Sequence, residues 1–266
     1  MSLIDLLVAE YRLVYGELFR RKSAIVTMIM YPYLFAGFTV FVGYAYGNPQ
    51  YFVERTGVDP VVFMVTASYI LMALMTTVDE LFWRPLVDQW VGTLPYILAT
   101  PVNRLKRYFS IPIPRLTILI ITGSTSVIPI HVYYSGFKGL ATGLSIILLT
   151  TIGAIISIGF SMVITGLVHR IGESWRALNI IRPIIMILIG AYFPRKYMFI
   201  FARYVSYLIP ASHVVEIIQG LMSGLETPLY ILLSLAIALS IIYTPLGSKT
   251  IDVWEKKKVR EGVKFS

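Results

Sequence analysis

Six apolar stretches, each long enough to cross a bilayer or nearly so, constrain this chain more than any motif it carries. A helix needs about 20 residues to traverse roughly 30 Å of hydrocarbon. The stretches fall at 24–46, 58–78, 113–134, 140–168, 180–191 with an extension toward 200, and 228–246. Composition agrees, because 57% of the 266 residues are hydrophobic and 14% are charged, where a soluble domain carries about 25% charged residues. The expectation is an all-α polytopic membrane protein, a single transmembrane domain over 1–266 with six transmembrane helices.

The fifth stretch differs from the others. Pro183 and Pro194 interrupt it, Arg195 and Lys196 follow, and a second apolar piece, YMFIFARYVSYLIP, runs up to Pro210. Irregular backbone at membrane depth must be buried in protein or line a cavity. A short span leading into re-entrant helices over 191–213 satisfies that requirement better than one long helix.

The formal charge of +9 is distributed in short blocks between apolar runs, where headgroups and topology account for it and nucleic acid does not. With a cytoplasmic N-terminus, every Lys and Arg except Arg55, Lys138, Arg195, Lys196 and Arg203 falls on the inner side. The positive-inside rule then gives six spans, both termini in the cytoplasm, a multi-pass location in the cell membrane and a basic cytoplasmic tail over 247–266. Ahead of the first span, Leu3, Leu7, Tyr11, Val14 and Leu18 recur at helical spacing, with Asp5, Arg12, Gly16 and Arg20 opposite. Residues 1–22 are therefore expected as an interfacial amphipathic helix. Three glycine pairs at four-residue spacing, Gly43/Gly47, Gly139/Gly143 and Gly220/Gly224, offer places for helices to approach closely.

Catalytic chemistry has little to work with. The chain holds no cysteine and three histidines, His131, His169 and His213, far apart in sequence and without a second ligand at helical spacing, so no metal centre is expected. GFSMV around Ser161 lacks the closing glycine of a nucleophile elbow, and GSKT at 247–250 lacks the first glycine of a P-loop, Ile242 standing there. Asp79 and Glu80 close the second span and Glu173 lies in a loop, leaving no carboxylate in a hydrophobic centre. An ion-coupled carrier would keep such groups within its spans. The energy for any transport must be supplied by another component.

The segment between the second and third stretches, 79–112, is too long for a simple connection. It reads DELFWRPLVDQWVGTLPYILATPVNRLKRYFSIP, with a small-residue turn at Gly92 and Thr93, a short apolar helix ended by Thr100 and Pro101, and a second helical turn carrying Arg104, Lys106 and Arg107. Pro101 suits the start of that second helix, where its missing N–H is not needed. The residues WVGTLPYILATPVNR resemble the cytoplasmic coupling segment of type-2 ABC transporter permeases, with Pro95 where many members have glutamate and Asn103 in place of serine. The resemblance extends in organisation to the interfacial first helix, Pro32 early in the first span and YLIPASHVVEIIQG before the last. It implies an exporter permease that is itself no enzyme and binds no cofactor, ATP and Mg being held by a separate ABC ATPase subunit. It further implies a second permease copy, identical or homologous, since six spans form half of such a pathway, and membrane lipids as the remaining partner.

On that resemblance, Gly92, Thr93, Leu94, Tyr96, Leu98, Thr100, Pro101 and Arg104 form the contact with the ATPase. Exposed Leu94, Tyr96, Ile97 and Leu98 would fill an apolar groove while Arg104, Lys106 and Arg107 grip an acidic rim or lipid phosphate. Tyr192, Phe193, Tyr197, Phe199, Tyr204 and Tyr207 would line the outer exit, with Arg195, Lys196 and Arg203 drawing an anionic headgroup. The alternative from the residues alone is a polytopic membrane enzyme or a scaffold that recruits a soluble partner through the basic loop.

Overall fold

The structure is a computed structural model, describing residues 2–171, 174–224 and 228–261. Glu173 and the last five residues of the basic tail lie outside them. Among the described residues all regular structure is helical. Four stretches, Lys22–Tyr44, Pro60–Val91, Arg104–Ile156 and Leu229–Arg260, are long and apolar enough to cross a membrane.

Helix α1 (Leu3–Arg20) begins with a capping box, the Ser2 hydroxyl accepting from the Asp5 N–H and the Asp5 carboxylate from the Ser2 N–H. It buries Leu6, and packs Val14 and Leu18 against Ile118 at the start of α7 (Ile113–Ile156), where the Tyr15 hydroxyl meets Thr117 at 2.9 Å. Its Glu10 pairs with Arg84. After the single residue Arg21 the chain turns into α2 (Lys22–Tyr46), and the short α3 (Pro49–Thr56) then leads to α4 (Pro60–Val91). The 32-residue α4 is the central helix. It runs through Pro85 to Val91, so 79–91 continues the second span as helix, where the sequence placed the start of a loop. Tyr69 on α4 is fully buried because Gly123 on α7 leaves room for its ring; a Cβ there would lie 2.6 Å from it.

The third and fourth apolar stretches form a hairpin. Gly136, at φ 57° and ψ −140°, reverses the chain inside α7. A Cβ on Gly139 would lie 1.9 Å from the His131 carbonyl oxygen, and one on Gly143 would lie 3.3 Å from Ile128 Cα. Of the three glycine pairs this one brings two backbones together, whereas Gly43 faces open space. Gly139→Ala is expected to destabilise the protein by about 3 kcal/mol, the upper part of the overpacking range. Gly43→Ala should cost almost nothing, and SDS-titration unfolding of the two variants measures the contrast.

The second leg of α7 passes through Ser157 into α8 (Ile158–Val168), which packs along α12 (Leu229–Glu261). Glycines set the distance of that seam: a Cβ on Gly159 would meet Thr244 N at 2.7 Å, on Gly166 the Thr250 hydroxyl at 2.6 Å, and on Gly247 the Met162 Cβ at 2.6 Å. The P-loop-like GSKT is thus a helix-packing surface. It also corrects the tail: 247–261 is the continuation of α12, with Ile251, Trp254 and Glu255 buried.

Helix α9 (Ser174–Ile189) carries Pro183 and stops at Gly190, whose φ of 82° favours glycine. A short 3₁₀ turn (Arg195–Tyr197) then precedes α10 (Ile200–Ser206) and α11 (Pro210–Ser223), which are bent by 104° relative to each other. The bent pair runs to Ser223, ten residues beyond the limit expected for a re-entrant region. Helix α11 buries His213, Val214, Val215, Ile217, Ile218 and Gln219. The Gln219 amide reaches back to the Gly190 carbonyl at 2.8 Å, tying α11 to the end of α9.

Candidate functional site

The bundle has a basic end, where α1 and the segment after α4 sit, and an aromatic end, where α3 and the 3₁₀ turn sit. At the basic end α4 terminates on Gly92, at φ 79° in the left-handed region. Asp88 organises the turn that follows: its carbonyl accepts from the Thr93 N–H at 2.9 Å, and its carboxylate takes the Thr93 hydroxyl at 3.2 Å and the Arg107 guanidinium at 2.9 Å. Two helices follow, α5 (Leu94–Ala99) and α6 (Arg104–Ser110). Asn103, the residue that stands for serine in the resemblance, caps α6 by accepting from the Lys106 N–H at 3.2 Å. Pro101, expected to open that helix, lies in the connecting turn instead.

Arg104 closes the arrangement from the other side. Its guanidinium donates to the carbonyls of Leu98, Thr100 and Val102 at 3.1, 3.2 and 3.3 Å. Its Nε meets Glu255 of α12 at 2.5 Å. Carbonyls at the end of α5 and in the turn after it, which a helix end leaves without partners, are thereby met by a side chain anchored to the last helix. Beside this clamp lies a cavity of about 250 Å³ lined by Leu98, Arg104, Asp252, Glu255, Lys256 and neighbouring residues of α12.

The result is a two-turn helix held at both ends with one side toward solvent. Tyr96 is 78% exposed, and Trp90 and Val91 at the end of α4 are also exposed. The expected composition of this surface needs two corrections. Leu94 is 1% exposed and packs inward, since the turn at Gly92 and Thr93 points the first side chain of α5 back at the bundle. Arg104 and Arg107 are committed to Glu255 and Asp88, leaving Lys106 exposed. Leu94→Asp would place a carboxylate in an apolar pocket, a burial that costs several kcal/mol unless the group is paired or neutralised. It is expected to lower thermal stability sharply and to yield less folded protein on size exclusion, while Tyr96→Asp leaves both unchanged.

His169, just beyond α8, joins the helices of this end. Its Nε2 meets the Phe82 carbonyl at 3.0 Å, its Nδ1 the Ser174 hydroxyl at 3.0 Å, and its ring stacks on Phe82 at 4.8 Å. Burial pushes its pKa down to about 4, so the imidazole is a neutral bridge in the core. His131 likewise bonds Thr66 at 3.0 Å, and among the described residues no group of acids and histidines is arranged to hold a metal.

Between α2, α4 and α9 a cleft of about 210 Å³ runs along the apolar part of the bundle. Its basic-end mouth carries the Asp79–Arg182 pair, at 2.7 Å. Its other end is limited by Tyr192, whose hydroxyl meets Ser68 at 2.8 Å and whose ring stacks on Phe35 at 6.0 Å. Beyond Tyr192 opens a second cavity, of about 380 Å³, at the aromatic end. Tyr192 lines both.

Of the six aromatic residues expected around an exit, Tyr192, Phe193 and Tyr197 gather at this second cavity. Phe199 and Tyr204 point away from it and are exposed on the outer surface. Tyr207 lies under the guanidinium of Arg195, 4.2 Å from its ring centroid. Arg195 is buried and faces inward, donating to Glu216 at 2.7 Å and Ser212 at 2.8 Å. Burial draws its pKa down and Glu216 opposes that shift. Arg203 donates to the carbonyls of Arg195 and Lys196. Arg195 is thus committed inside the turn and does not offer its charge to a headgroup. Ser68, Phe35, Arg55 and the Asp79–Arg182 pair are site residues that the sequence does not single out; Arg55 alone carried a signal, a lone cation four residues after Tyr51 on the aromatic side.

Comparison with protein-family models, with curated proteins and with solved structures found no match to this chain.

Proposed function

We propose that this protein is the membrane-spanning subunit of an ATP-driven ABC exporter, contributing half of a translocation pathway. The observation that carries the reading is α5, a short helix braced by Asp88 and Arg104 that presents Tyr96 to solvent beside Trp90 and Val91. A rigid aromatic anchor surrounded by apolar contacts has the character of a binding hot spot. Its bracing gives the partner a mechanical connection to α4 and α12 together.

In this reading six spans are formed by α2, α4, the first leg of α7, the second leg of α7 with α8, α9, and α12, with α10 and α11 as a re-entrant pair. The basic end faces the cytoplasm, by the distribution of arginine and lysine. ATP and Mg sit on the partner ATPase, whose dimerisation drives the spans. The cleft between Asp79–Arg182 and Tyr192 is one wall of the route, completed by a second permease copy.

A photoreactive amino acid at position 96, illuminated in native membranes, tests this. The expected product is a crosslink to a soluble ATPase bearing Walker motifs. Crosslinks to lipid alone, or to a protein without nucleotide-binding motifs, contradict the exporter reading and favour the scaffold.

A further inference from the structure

The aromatic-end cavity has a chemical character of its own. Its volume of about 380 Å³ lies within the range of about 300–1,000 Å³ typical of small-molecule sites. The walls are aromatic and aliphatic, and Arg55 is the single charged residue among those that line it. The lining hydroxyls of Thr39 and Thr56 are used internally, bonded to the Phe35 and Phe52 carbonyls at 2.5 and 2.8 Å. Charge recognition therefore falls to the guanidinium.

Arg55 is held ready for it. Its guanidinium lies 4.9 Å from the Tyr51 ring centroid and 5.7 Å from that of Tyr197. The Tyr197 hydroxyl donates to its backbone carbonyl at 2.9 Å. Stacking on ring faces fixes the plane of a guanidinium while leaving its N–H groups free to donate at the edge. Among the described residues Arg55 forms no ion pair. Tyr44 and Tyr51, at the rim, are more than half exposed, and they sit where the apolar α2 ends and the short polar α3 begins. That is the depth at which a bilayer presents its headgroups.

We propose that this cavity binds an anionic lipid from the bilayer, one acyl chain among the aromatic walls and the phosphate on Arg55. Planar guanidinium and phosphate oxygens form charge-assisted bonds of about twice the strength of neutral ones. The chain offers the apolar surface that the walls require. The site goes beyond the exporter reading and stands without it, since binding is measured in the absence of any ATPase.

Native mass spectrometry of the purified full chain in a neutral detergent provides the test, with phosphatidylglycerol and phosphatidylcholine as probes. The wild type should retain phosphatidylglycerol about tenfold better than phosphatidylcholine, because both carry the phosphodiester but the choline ammonium of the second offsets its attraction to the guanidinium. Arg55→Gln, at an exposed position, should erase the preference while keeping weak binding of both lipids. Gly43→Phe should remove both, because a side chain there projects into open space in the cavity. Equal retention of the two lipids by wild type, or an undiminished preference in Arg55→Gln, overturns the proposal. So does unchanged binding in Gly43→Phe. Displacement of the lipid by inorganic phosphate at equal concentration would reduce the site to a simple anion site and overturn it as well.

Discussion

Arg104→Ala is expected to destabilise the basic end of the bundle by about 3 kcal/mol. The substitution leaves Glu255, with a side chain only 6% exposed, without its directly bonded partner. Breaking one side of a buried pair costs about 3–5 kcal/mol. The lower end applies because the arginine side chain is itself 22% exposed, which lets water share in the interaction. Three carbonyls of the α5–α6 turn lose their donor at the same time. Glu255→Gln should cost less, since Arg104 keeps those carbonyls and the amide oxygen still accepts a hydrogen bond. The order Arg104→Ala below Glu255→Gln below wild type, read from reversible SDS or thermal unfolding, distinguishes a clamp on α5 from an isolated ion pair. Equal effects of the two variants would show that the carbonyl contacts carry no weight.

Tyr96→Asp is expected to leave unfolding unchanged and to weaken the association with the proposed partner ATPase by about thirtyfold or more. A buried aromatic anchor at the centre of an interface is worth about 2 kcal/mol or more, and an introduced carboxylate must also be desolvated against an apolar groove. The side chain is 78% exposed in the isolated subunit, so the loss falls on binding and not on folding. Leu94→Asp gives the opposite signature, loss of stability first. Together the two variants separate the outer surface of α5 from its inner one, which its sequence alone does not resolve.

The reason lies in the length of the helix. Six residues give too few turns for a periodic pattern, and LPYILA is apolar on every side. The turn that orients it was legible, because Gly92 and Thr93 after a long apolar run are residues that end a helix. So was the division into two short helices, although the second begins after the Asn103 cap and not at Pro101. Helix α1 showed itself by a clear 3.6-residue period, while its Ser2 and Asp5 capping box came from the structure. What the sequence misread at the C-terminus has a different cause. A run of lysines after Pro245 has the composition of a solvated tail, yet Gly159 and Gly166 on a distant helix bring α8 close enough to hold 247–261 in place. Arg104 and Arg195 were read as surface charges for the same reason. Their partners, Glu255 and Glu216, are assigned by tertiary packing that no local pattern records.

The aromatic end shows how composition locates a region without assigning its parts. Tyrosine and phenylalanine cluster throughout 192–207, as they do at membrane interfaces generally. Only the chain reversal at Gly190 and the bend between α10 and α11 decide which of them reach a cavity. Tyr192 does so because it lies directly after that reversal, within reach of Ser68.

The central claim is that α5 docks an ATPase, and purification of the tagged protein from its native membrane tests it most directly. The expected result is an ATPase in stoichiometric amount, active in hydrolysis and lost from the Tyr96→Asp variant. Recovery of the tagged protein alone, with no nucleotide hydrolysis above background, would contradict the proposal.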